Sequence, residues 1–357
     1  MHGTWIRGSL WDRFALRWRG AAPGKAEPID IFKELDLARK ILILPNDRVG
    51  GFFIGAPIYK IVREVYPNAE IALLVDESKV AIAQHIPFVD KVISGSLHGP
   101  VWKSSFRQLA NQLVGEELHI ALCLGADCSF RLAQLCKASG ARLRIGFRRQ
   151  DCTPYNIEIV PQSTDLYEGD QCVNMLKILG LKGEGDIRWT IAQDLARQIR
   201  DRYLDADFAR NHVVGIDLVR GEGRGLSSRQ FEDIVGRVIE RGARAVLFFT
   251  LAERKQVNYL KETYGNRTLL FEQDDMAGVA ALIEGCTALI SCNTDLLHMA
   301  IALQTPTVGI FDEGSQRWIS QRNYSCKIVQ TKDIRAISIT DIVDALEEVL
   351  QREGKKK

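Results

Sequence analysis

Short, unbroken apolar runs alternate with segments of helical period along this chain, and that alternation constrains its fold more than any other feature. ILIL (41–44) reads as a buried strand, and after Pro57 the residues Ile58, Ile61, Val62 and Val65 keep helical spacing until Pro67. AEIALLVD (69–76), KVIS (91–94), HIALCLG (119–125) and LRIGF (143–147) follow as strands, with SFRLAQLCKASG (129–140) as an intervening helix. Strands that are apolar throughout and bounded by helices belong to parallel sheets covered on both faces. The pattern restarts near residue 212 with HVVGIDL, a helix through FEDIVGRVIERG, RAVLFFT and TLLFEQ. The helix MAGVAALIEG, the strand ALISC, the helix LLHMAIALQ and the strand TVGIF complete it, and DIVDALEEVLQRE is a closing helix.

This is an α/β fold of two Rossmann-like units joined by a polar connection (about 181–211). A length of 357 residues suits two domains of about 150 residues each. The expected division is a basic, aromatic N-terminal segment over 1–38, a first domain over 39–185, a second over 210–335 and a C-terminal helix over 338–353.

Composition excludes several function classes. A formal net charge of +2 is too small for nucleic-acid binding by bulk electrostatics, so no nucleic-acid partner is expected. No apolar run approaches the roughly 20 residues that span a bilayer. The N-terminus lacks the apolar stretch and small-residue cleavage site of a signal peptide, which points to the cytoplasm. The eight cysteines include no C-x-x-C pair and fall largely in apolar patterns, as reduced core thiols do. Six histidines without ligand spacing imply no protein-built metal site.

In open α/β sheets, ligands bind beyond the carboxyl ends of the strands, at the point where strand order reverses. With two such units, the cleft between them is the expected site. The loops of interest follow ILILP, DLVRG, FFT and ISC. The first, Asn46-Asp47-Arg48-Val49-Gly50-Gly51, is neither G-x-G-x-x-G nor a Walker A loop. Asp47 is either a turn-forming aspartate or a functional carboxylate. The loop after ISC, Asn293-Thr294-Asp295, opens the helix that bears His298, and a helix N-terminus favours a diphosphate. Asn293 or Thr294 could equally be a plain N-cap.

Together these loops resemble glycosyltransferase family 9, the lipopolysaccharide heptosyltransferases. The family's first signature is a strand, a D-R-I-G-D loop and a helix opening near a proline. Its counterpart here is ILILPNDRVGGFFIGAPIYKIVREVYP. The family's R-I-G-F is matched in SGARLRIGFRR. Its D-T-G-x-x-H-x-A-A-A-L-x-x-P corresponds to NTDLLHMAIALQTP, followed by TVGIFDEG. The order and spacing of both signatures, over roughly 40–350, make the likeness specific.

The resemblance implies GT-B architecture, with two Rossmann-like domains whose parallel sheets face a central cleft. It implies a glycan or glycolipid acceptor at the first domain, a nucleotide-sugar donor such as ADP-heptose at the second, and no cofactor or metal. Transfer would be inverting, with a carboxylate deprotonating the acceptor hydroxyl and basic groups stabilising the departing diphosphate. On the donor side the resemblance points to Arg224, Glu253, Asn293, Thr294, Asp295 and His298.

Four positions depart from the family pattern, among them Asp312, which follows Phe311 where the family has F-G. Gly51 stands where the catalytic aspartate ends D-R-I-G-D, and Asn293 and Asp295 replace the aspartate and glycine of the second signature. Asp47 is then the expected substitute base. The alternatives are a non-catalytic nucleotide-sugar or glycan-binding protein and a transferase with a different donor. In a chain that has lost transfer, Gly51→Asp is expected to restore it.

Residues 1–25 interleave Arg7, Arg13, Arg17, Arg19 and Lys25 with Trp5, Leu10, Trp11, Phe14 and Trp18, against Asp12 alone among acids. Leu10, Trp11, Phe14 and Trp18 share one helix face, which suits an interfacial helix on an anionic leaflet. A frayed or core-docked extension fits the same composition. At about 1 kcal/mol per basic residue near such a surface, deletion of 1–25 is expected to release the protein from anionic liposomes. Equal sedimentation of full-length and truncated protein with those liposomes refutes the interfacial helix.

Overall fold

The computed structural model describes residues 29–86, 88–163, 166–183, 193–204, 211–219, 225–315, 318 and 326–354. The N-terminal stretch 1–25 lies outside the described residues. The chain divides into two compact units, Met1–Asp186 and Ile187–Lys357.

The first unit runs α1 (Ile31–Asp36), β1 (Lys40–Leu44), α2 (Gly51–Ile54), α3 (Ala56–Val65), β2 (Glu70–Val75), α4 (Val80–Ala83) and β3 (Lys91–Ser94). It continues with α5 (Ser104–Gly115), β4 (Ile120–Cys123), α6 (Phe130–Ala138), β5 (Leu143–Phe147), β6 (Ile157–Ile159) and α7 (Glu168–Ile178). Its strands form one parallel sheet in the order β3-β2-β1-β4-β5-β6. Order reverses between β1 and β4, where Ile41 pairs with Ile120 and Leu44 with Cys123. Ile41, Leu42, Ile43 and Leu44 are each 0% exposed, so β1 is covered on both faces and its apolar run needs no polar alternation.

The second unit runs α8 (Gln193–Tyr203), β7 (Val213–Asp217), α9 (Ser228–Glu240), β8 (Arg244–Phe249), α10 (Arg254–Tyr264), β9 (Thr268–Glu272) and α11 (Met276–Gly285). Then come β10 (Ala288–Cys292), α12 (Asp295–Ala302), β11 (Thr307–Asp312), β12 (Cys326–Thr331) and α13 (Ile339–Gly354). Its parallel sheet has the order β12-β11-β10-β7-β8-β9, reversing between β7 and β10. Phe231, Ile234, Val235 and Val238 of α9 pack with Ile342, Leu346 and Val349 of α13 in the core beneath β7 and β10. The expected pair of Rossmann-like units is therefore what the chain builds.

Helix starts follow local chemistry. Ser129 accepts from Leu132 N at the head of α6, and Asp275 from Gly278 N at α11. Ser227 and Gln230 form a capping box at α9. Periodicity misses the half-buried edge strands β6 and β12, whose glutamate, lysine and glutamine break the apolar run. Within the polar stretch 181–211, α8 packs on the second unit through an Arg200–Glu284 contact (3.1 Å) and a Tyr203–Phe271 edge contact. All eight cysteines are free thiols. Among the described residues no helix is long and apolar enough to cross a membrane.

Candidate functional site

Both sheets carry polar clusters at their reversal points. In the first unit the loop after β1 meets the loop after β4. Asn46, only 4% exposed, is the centre of that meeting. Its Nδ2 donates to Asp127 Oδ1 (2.8 Å) and to Glu168 Oε1 (3.1 Å), while its Oδ1 accepts from Arg48 N (3.1 Å). Two carboxylates on one side and an N–H on the other fix which way the amide points. Glu168, 1% exposed at the head of α7, also accepts from Ala126 N (3.1 Å). Arg48 lies against Asp127, donating from Nε to its carbonyl oxygen (3.2 Å), with Nε 3.9 Å from Oδ2.

Asp47 faces the same pair of loops. Its Oδ1 accepts from the backbone N–H of Ser129 (2.8 Å), the residue that caps α6. It thereby ties the β1 loop to the start of that helix.

Gly51 is the first residue of α2, and Gly50 before it holds a left-handed φ of 72°. A Cβ at Gly51 would lie 2.3 Å from the Asn46 carbonyl oxygen and 2.7 Å from Asn46 Cβ. A Cβ at Gly125 would lie 2.6 Å from Asn46 Cγ. Asn46 therefore fills the space that side chains at 51 and 125 would need. The expectation that an aspartate at 51 slots into an intact frame is corrected here, because the colliding atoms at 51 include backbone.

In the second unit the centre is Asp217, the last residue of β7 and 1% exposed. Its Oδ1 accepts from Val219 N (3.1 Å) and Gln273 Nε2 (3.0 Å), its Oδ2 from Ser291 Oγ (2.9 Å) and Thr294 Oγ1 (2.5 Å). One carboxylate thus ties together the ends of β7, β9 and β10. Burial pushes its pKa up, against the downward pull of the Thr294, Val219, Ser291 and Gln273 hydrogen bonds.

Thr294 stands at the N-cap position of α12 but makes no side-chain cap bond, since its hydroxyl goes to Asp217. The capping role open to it from sequence is not realised. Asp295 is the first residue of α12, and the buried His298 donates from Nε2 to Asn293 Oδ1 (2.8 Å), with its ring edge-on to Trp318. Asn293, Thr294, Asp295 and His298 are therefore brought together at one strand end. Glu253 forms a capping box with Thr250, accepting from its N–H (3.1 Å) and hydroxyl (2.6 Å). Arg224 lies outside the described residues. Sequence reasoning missed Asn46, Asp127, Glu168 and Asp217 as members of these clusters. The Thr-x-x-Glu spacing of 250–253 was a readable sign of the cap. Among the described residues no group of three His, Cys, Asp or Glu side chains could hold a metal ion.

Residues 226–339 match the sequence model of glycosyltransferase family 9 (heptosyltransferase). No curated protein matches the chain at the sequence level. Among solved structures, a family 9 glycosyl transferase from Veillonella parvula superposes with a TM-score of 0.74 at 16% identity, covering 89% of this chain and 99% of its own. E. coli ADP-heptose lps heptosyltransferase II gives 0.71 at 15% identity, covering 88% and 99%. E. coli heptosyltransferase WaaC with ADP-2-deoxy-2-fluoro heptose gives 0.68 at 15% identity, covering 87% and 99%. At such identities the solved structures speak for the two-domain fold. The family match lies in the second unit, about a third of the chain, and includes the β10–α12 loop.

Two outcomes follow from the clusters. Gly51→Ala and Gly51→Asp are each expected to destabilise the protein by about 1–3 kcal/mol, the usual scale of overpacking, read as a lower melting temperature. An unchanged melting temperature would show that the loop yields freely. For Asp217 the raised folded pKa means the native state holds a proton that the unfolded chain releases at about pH 4. Its contribution to stability falls as pH rises from there through the folded value. Asp217→Asn is expected to lose that slope in melting temperature against pH, and an identical slope in both proteins refutes the assignment.

Proposed function

We propose that this chain transfers a sugar, with heptose the leading candidate, from a nucleotide-diphosphate donor to a lipopolysaccharide-type or other glycan acceptor. The observation that carries the reading is the family match across the β10–α12 loop, at the reversal point of the second sheet. One structural neighbour, E. coli heptosyltransferase WaaC, was solved with ADP-2-deoxy-2-fluoro heptose, which makes an ADP-sugar the first donor to test. In this reading the second unit holds the donor. The Thr294 hydroxyl is already spent on Asp217, so the loop would meet a diphosphate through the N–H groups at the head of α12, with Arg224 adding charge.

Transfer would be inverting and independent of metal. The acceptor hydroxyl attacks the anomeric carbon as the bond to the diphosphate breaks, and a carboxylate of the first unit takes the hydroxyl proton. The protein would work in the cytoplasm, with 1–25 bringing it to an anionic membrane face where a glycolipid acceptor is presented. The second reading, a nucleotide-sugar-binding protein without transfer, is favoured by Gly51, whose surroundings leave no space for the family's aspartate.

Calorimetry with ADP and ADP-heptose tests donor binding, and product formation with an acceptor glycan separates the two readings. Arg224→Ala is expected to weaken ADP binding by about 1–3 kcal/mol, the range for a charge-assisted hydrogen bond. An unchanged dissociation constant removes Arg224 from the donor site, and binding without transfer favours the second reading.

A further inference from the structure

We propose that Asp127, on the loop after β4, is the base that takes the acceptor proton. The proposal rests on the transfer reading above. A side chain at 51 and Asn46 compete for one space, because a Cβ at Gly51 would meet both the backbone and the side chain of Asn46. The residue that occupies that space holds Asp127, through Nδ2 to Oδ1 at 2.8 Å. The residue that closes off position 51 thus also positions a carboxylate on the β4 loop. The two loops adjoin at the reversal point of the first sheet, where ligands of such sheets bind.

The neighbouring carboxylates are less suited to the role. Glu168 is 1% exposed and gives Oε1 to Ala126 N and Asn46. Asp47 spends Oδ1 on the Ser129 backbone, at a structural join between loop and helix. The side chain of Asp127 is 24% exposed, with Oδ1 held by an amide, so the carboxylate is both oriented and reachable. In the step, the acceptor O–H bond breaks and its proton passes to the Asp127 carboxylate. The acceptor oxygen bonds to the anomeric carbon, and the electron pair of the broken C–O bond leaves with the diphosphate. The protonated aspartic acid afterwards returns its proton to water.

The test uses the full chain with ADP-heptose as donor and detergent-dispersed lipopolysaccharide as acceptor, reading ADP release against pH and ADP affinity by calorimetry. Asp127→Asn keeps an oxygen for the Asn46 bond and removes the base. Turnover is expected to fall roughly 100-fold or more, the scale of general-base loss, with ADP affinity within about twofold. Asp127→Glu should recover part of the rate, and formate should recover part of it in Asp127→Ala, which a merely structural role would not allow. Asp47→Asn should leave turnover within about tenfold of the parent.

An active parent whose rate ignores Asp127→Asn, or depends on Asp47 instead, overturns the assignment and leaves the transfer reading standing. A parent that binds ADP-heptose but transfers nothing overturns the assignment and leaves only donor binding. A parent that does not bind ADP-heptose overturns the heptose-donor reading beneath it. Should Asp127→Asn fail to fold, the formate response of Asp127→Ala and the rate of Asp127→Glu decide the matter, and absence of both overturns the proposal.

Discussion

A strand covered by helices on both faces has nowhere along its length to put a polar side chain, and that constraint organises both halves of this molecule. β1 is buried from Ile41 to Leu44 and β10 along its whole length, so chemistry is confined to their carboxyl termini, where the backbone leaves the sheet. The reversal of strand order then places two such termini side by side with no helix crossing directly between them. Asn46 and Asp127 meet at one of these points, Asp217 and Thr294 at the other.

The two units answer the same problem with opposite hydrogen-bonding roles at the centre. In the first, a neutral amide sits between two carboxylates and gives one hydrogen to each. In the second, a carboxylate sits among neutral donors and accepts four hydrogen bonds. An ionised carboxylate has the lone pairs for all four, whereas its protonated form must give one up. Polar networks of this kind hold a loop in one arrangement because any half-satisfied alternative leaves buried polar atoms exposed to a low dielectric. The loops at each reversal point therefore present their hydrogen-bonding groups in fixed positions at the carboxyl ends of the strands.

Much of the fold was legible because buried parallel strands advertise themselves. ILIL, ALISC and TVGIF carry no charged residue to confuse the reading, whereas β6 and β12 at the sheet edges carry charge and escape notice. The loops after β1 and β10 were legible too, since they follow those runs directly. Their partners were not. Asn46 meets Asp127 across 81 residues and Glu168 across 122, and nothing local to either acid announces the pairing of β1 with β4. Glu253, just past the end of β8, accepts from the Thr250 hydroxyl in a cap that the Thr-x-x-Glu spacing made readable.

The interlock of Asn46 with Gly51 and Gly125 has an evolutionary consequence. A side chain at 51 would meet the main chain and Cβ of Asn46, and one at 125 would meet its amide, so neither position takes a larger residue while Asn46 keeps this pose. Each single step passes through a strained intermediate, so the positions are epistatic: the effect of changing one depends on the residue at the other. Packing alone therefore ties the residues tolerated at 46, 51 and 125 to one another.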